Sequence, residues 1–88
     1  MKRVDVYKLI DVEREYQNSI RKTLQQDTVA DEDKSPEAFL LYIEEMLNQA
    51  KKEAYKLNRE GIQDHIRKIA GLAVASIEAF GAPPRIIL

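Results

Sequence analysis

The stretch IAGLAVASI, residues 69–77, is apolar or small at every position. It lies inside a segment, Ile62 to Phe80, whose apolar residues recur three and four apart, so the spacing predicts a helix. Ile62, Ile66, Ile69, Ala70, Ala73, Ile77 and Phe80 form its main face. Gly71 and Ala75 sit four apart on the other side, where small residues let a second backbone come close. A helix that is apolar on every side is buried on every side.

The rest of the chain offers little to bury it with. A chain of 88 residues hides only about 60–65% of the surface its unfolded form exposes. It contains no cysteine, so neither a disulfide nor a thiolate-bound metal compensates for a thin core. The expected cover is a second copy of the protein, packed against the helix at 62–80.

Working outward, Gly81-Ala82-Pro83-Pro84 stops this helix, since proline cannot continue the hydrogen-bond ladder. Upstream, Gly61 falls between two periodic segments, and a short turn over Asn58–Gly61 joins the last helix to the one before it. That second helix is expected from Pro36 to about Leu57, with Phe39, Ile43, Met46, Leu47, Ala50, Ala54 and Leu57 aligned. Ser35-Pro36-Glu37 is its start: the serine caps free N–H groups and proline suits the first turn. Residues 25–35, QQDTVADEDKS, are polar and aperiodic and read as an acidic loop. A first helix is expected from about Val4 to Leu24, with Val6, Leu9, Val12, Tyr16, Ile20 and Leu24 on one face. The expected fold is all-α: one domain over residues 1–88, a long helical hairpin plus an N-terminal helix, assembling into an oligomeric helical bundle. The tail 81–88 ends in Arg85-Ile86-Ile87-Leu88, which is expected to dock on a neighbouring chain.

A formal net charge of −1 gives no overall attraction for nucleic acid or an anionic membrane. The N-terminus MKRVDVYKLID has neither an apolar core nor a cleavage site of a secretory signal, so a cytoplasmic protein is expected. There is no GxxxxGK[ST], GxGxxG or GxSxG motif. The single histidine, His65, has no second histidine or cysteine to share a metal with, and reads as a surface or interface residue. Glu13 projects inside the apolar arc of the first helix, where a carboxylate must reach water, pair with a cation, or serve a ligand cleft. On the second helix Glu44, Glu45 and Asn48 lie lateral to or opposite the apolar stripe. On the third, Asp64 and Lys68 share the side away from Ile66, with Arg67 between that side and the core.

YIEEMLNQAKK (42–52), DHIRKIAGLAVASIEAFGAPPR (64–85) and VEREYQ (12–17) together resemble small phage-encoded proteins distantly similar to MazG-type nucleoside triphosphate pyrophosphohydrolases. The resemblance implies an all-helical oligomer in which an ExxE element on one helix and an ExxD element on the next bind Mg²⁺. Hard cations require such carboxylate oxygens, and i, i+3 spacing puts two on one face. Carried over, Glu45 matches the first acid, Asn48 the second and Asp64 the third, while Arg67 stands where the fourth belongs. An amide and a guanidinium at two of the four positions imply loss of metal-dependent hydrolysis. An active enzyme would have to use Glu44, Glu45 and Asp64, with Glu13 as a further ligand.

Arginine and lysine still suit phosphate oxygens. The reading is therefore a non-catalytic, oligomeric protein that needs no cofactor and holds a nucleotide or nucleotide-derived small molecule, as a phage counter-defence sponge would. Its candidate ligand-binding residues are Glu13, Tyr16, Gln17, Glu45, Asn48, Asp64, Arg67 and Lys68. A Mg²⁺-dependent pyrophosphohydrolase and a helical interaction or inhibitor module are the alternatives.

Overall fold

A computed structural model describes residues 1–24 and 34–86, with residues 21–24 as backbone only. The described residues form three α-helices and no strand: α1 Arg3–Leu24, α2 Pro36–Tyr55 and α3 Arg59–Phe80. No described helix is long and apolar enough to cross a membrane. Most of the acidic loop at 25–35, together with Ile87 and Leu88, lies outside the described residues. Arg85 and Ile86, the last described residues of the tail, are exposed.

Local chemistry sets the helix ends. The Ser35 hydroxyl accepts the N–H of Ala38 at 3.1 Å, and Pro36 follows at the first helical position. Gly81, at φ 70°, closes α3 with its own N–H donated to the carbonyl of Ile77. The α2–α3 turn differs from the expectation. Leu57, not Gly61, takes the left-handed conformation, with φ 57°. As a result α2 ends at Tyr55, short of Leu57, and α3 begins three residues before Ile62. Asn58 is the reason: its side chain accepts the N–H of Gly61 at 3.1 Å and donates to Glu53 at 2.8 Å. Gly61 is thereby drawn into the first turn of α3.

α3 is the central helix. α2 folds back along one side of it and α1 packs on another, while α1 and α2 do not pack on each other among the described residues. Phe39 is buried where α2 meets the end of α3, edge-on to Phe80 at 6.3 Å and to Tyr42 at 6.4 Å. Ala50, Gly71 and Ala75 are the other buried small residues. His65 lies between α2 and α3, with Nδ1 2.9 Å from the Gly61 carbonyl and Nε2 3.1 Å from Gln49 Oε1. The sequence left a surface and an interface position open; the residue is half-buried between two helices of one chain.

Two expectations about packing are corrected. The Gly71–Ala75 side of α3 receives α1 of the same chain, not a second copy: a Cβ at Gly71 would come within 2.9 Å of Glu13 Cγ. The face that α1 buries is also not its apolar arc. Glu13 and Arg14 are buried, whereas Leu9, Val12 and Tyr16 are exposed. The physical reason is that a small-residue groove on α3 lets charged side chains lie flat across it and pair with groups on α3. Val6, Leu9, Val12 and Tyr16 of the apolar arc are turned to the outside, while Ile20 is half-buried.

Candidate functional site

Because α1 and α2 flank α3 without a close approach of their backbones, a groove of about 620 Å³ remains between them, floored by Leu72 and Ala75 of α3. This volume is that of a small-molecule site. Its walls carry three aromatic rings, Tyr16 from α1 and Phe39 and Tyr42 from α2. Arg14, Lys34 and Lys68 also line it. The Lys34 ammonium stands 5.7 Å from the centre of the Phe39 ring and 5.5 Å from that of Tyr42, a cation–π arrangement at the groove mouth. Glu13 and Glu45 supply the acidic lining, two carboxylates against three cations.

Five of the eight expected ligand-binding residues thus line one groove: Glu13, Tyr16, Gln17, Glu45 and Lys68. The other three do not. Asn48 is exposed on α2, and Glu44, assigned to the enzyme alternative, is exposed as well. Asp64 and Arg67 line a separate trough between α1 and α3. Sequence reasoning missed Arg14, Lys34, Phe39 and Tyr42. The signal that could have found them is the Lys34/Phe39/Tyr42 spacing at the start of α2, which puts a cation and two rings within two turns.

Arg67 is the pivot of the second cluster. Its Nε donates to Glu13 Oε1 at 2.9 Å across a sequence separation of 54, and its Nη2 donates to Asp64 Oδ1 at 2.6 Å. The hydrogen bond to Glu13 raises the guanidinium pKa further; burial opposes it, and Asp64 adds to the rise. Gln17 completes the link by donating to Glu13 Oε2 at 3.0 Å and to the Lys68 carbonyl at 3.4 Å. Lys68 Nζ lies 3.3 Å from Asp64 Oδ2. Burial works to raise the Asp64 carboxyl, but hydrogen bonds from Arg67 and Lys68 and their charges outweigh it and hold the group below the ordinary aspartate range.

The expectation that Arg67 grips phosphate is corrected by this geometry. Two carboxylates already neutralise the guanidinium, and Arg67 does not line the groove. Glu13 is likewise neither at the edge of an arc nor free for a ligand: it is 6% exposed and paired. No protein-family model, curated protein or solved structure matches the chain.

The same contacts test the expected Mg²⁺ site. Both Asp64 oxygens are engaged, one by Arg67 and one by Lys68, and Glu45 Oε1 accepts from Gln49 at 3.1 Å. Glu45 faces the groove and Asp64 faces the trough. Among the described residues no three His, Cys, Asp or Glu side chains converge. A dication needs several oxygens directed at one point, and here the acids point to different cavities with cations beside one of them. The residues present do not fit the metal.

Proposed function

We propose that the chain binds a nucleotide or nucleotide-derived small molecule in the groove between α1 and α2 and does not hydrolyse it. One observation carries this reading: three aromatic rings and three cations line a single groove of about 620 Å³. Aromatic faces stack on any base, and ammonium and guanidinium groups neutralise phosphate. Tyr16 is the stacking residue, Lys34 stands at the groove mouth, and Lys68 reaches a phosphate by exchanging its half-exposed contact with Asp64. Glu45 faces the groove and Asp64 the separate trough, so these acids do not converge on one point where a hydrolytic cation could be held. In a phage-type protein such holding without cutting is sequestration, the part of the proposal that rests on the sequence resemblance.

Calorimetric titration against mono-, cyclic and dinucleotides, without magnesium, tests it. Binding by at least one class is expected. Tyr16→Ala should weaken it about tenfold or more, since one base stack contributes roughly 1–3 kcal/mol. Lys68→Ala should weaken it and flatten its salt dependence. Incubation with nucleoside triphosphates and Mg²⁺ should release no pyrophosphate. A flat titration across the panel would refute nucleotide binding, and pyrophosphate release abolished by Glu45→Gln would refute the non-catalytic reading.

A further inference from the structure

Glu13, Arg67, Asp64, Lys68 and Gln17 close a ring of polar contacts across α1 and α3. The ring runs from Glu13 through Arg67 to Asp64, from Asp64 to the Lys68 ammonium, and from the Lys68 carbonyl through Gln17 back to Glu13. Its members are held unequally. Glu13 is buried, whereas the Lys68 and Asp64 side chains are 35% and 41% exposed and their contact is the longest ion pair of the ring, at 3.3 Å. The two also belong to different cavities. Lys68 lines the groove between α1 and α2, while Asp64 lines the trough between α1 and α3 and not the groove. A cation of the groove is thus held by a carboxylate that stands outside it.

We infer that Asp64 is a specificity-determining residue: it competes with the ligand's phosphate for Lys68 and so sets how much a phosphate adds to binding in the groove. The inference rests on the nucleotide reading of that groove. Asp64 does not follow Lys68 when the lysine moves. Its Oδ1 accepts from Arg67 Nη2 at 2.6 Å, and Arg67 is fixed in turn by its Nε on the buried Glu13. Lys68 carries a compact ammonium on a flexible four-carbon stem, so it is the mobile partner. The pair is four residues apart on one helix, acid before base, which is the favourable orientation. A phosphate that draws the ammonium into the groove must first offset this contact, which for a half-exposed pair weakens binding about two- to fivefold. Asp64 then remains one turn away as a like charge, unscreened at low salt. A nucleoside has no phosphate, leaves the Lys68–Asp64 contact intact and meets no such penalty. Asp64, which the resemblance aligns with a metal ligand, therefore acts against the anionic part of the ligand.

Calorimetric titration at low salt, with the mono-, cyclic and dinucleotide panel and the matching nucleosides, tests it. Asp64→Asn should tighten the nucleotides that the parent binds about two- to fivefold and leave the nucleosides unchanged. Asp64→Glu keeps a carboxylate one turn from Lys68 and should bind as the parent does. In a Lys68→Ala background, Asp64→Asn should bring no gain. Arg67 keeps Glu13 as a partner in every variant, so circular dichroism should show each as helical as the parent. The inference is overturned if Asp64→Asn binds nucleotides no tighter than the parent. It is overturned equally if the nucleosides gain as much, or if the gain persists without Lys68. Each of those results leaves the nucleotide reading standing. A parent that binds no nucleotide at all removes that reading and this inference together.

Discussion

Replacing Arg67 with alanine is the sharpest test of how α1 is held on α3. Glu13 is 6% exposed and its charge is balanced by the Arg67 Nε at 2.9 Å, with Gln17 as a second partner among the described residues. Removing one member of a fully buried ion pair costs about 3–5 kcal/mol, because the other charge is left without compensation. Arg67 is itself 38% exposed, so water enters the vacated space and rehydrates the carboxylate in part. We therefore expect about 2 kcal/mol of destabilisation, not the full figure. For a domain of this size that corresponds to a fall in Tm of roughly 8–15 °C. Adding Glu13→Gln to Arg67→Ala should recover about half, since a neutral amide tolerates burial better than an unpaired carboxylate. Lys68→Ala, which breaks only a half-exposed pair, should cost no more than about 0.5 kcal/mol. Thermal melts at one fixed protein concentration provide the readout, because association raises apparent stability. An Arg67→Ala protein melting within about 2 °C of the parent would refute the reasoning, and so would a double variant with no recovery.

Three further outcomes follow from single sites. Gly71→Ala gains about 1 kcal/mol of helix propensity but drives its Cβ to 2.8 Å from the Gln17 amide and 2.9 Å from Glu13 Cγ; chemical denaturation should show a net loss of about 1 kcal/mol. Leu57→Gly relieves a left-handed residue that is 87% exposed; after the entropy glycine adds to the unfolded chain, Tm should rise by about 2–4 °C, and a fall would contradict the turn geometry. The depressed Asp64 carboxyl adds stability that is complete above the ordinary aspartate value of about 3.9 and is lost as pH falls through its folded value below that. Melts of the parent and Asp64→Asn should accordingly differ at pH 6 and converge toward pH 2.

Much of the secondary structure was legible because it is local. Ser35-Pro36 starts α2 and Gly81 stops α3 through contacts that span only a few residues, and the three helical periods lie where the helices lie. The turn was misplaced by a few residues for an equally local reason: Asn58 caps more strongly than Gly61 breaks, a competition that counting glycines does not weigh. Of the candidate site, Tyr16 and Gln17 of α1 line the groove. Arg67 was legible as an odd charge but not as a paired one, because Glu13 is 54 residues away.

The sequence by itself determined that three helices form and where two of their ends fall, since propensity and capping act within a turn or two. Only the tertiary structure decided which face of α1 goes inward. Gly71 and Ala75 open a shallow path on α3, and Glu13, Gln17 and Arg67 close across it, so a charged face is buried and an apolar one left outside. Periodicity assigns burial from the side chain's own polarity. Here burial was set by the partner that neutralises it.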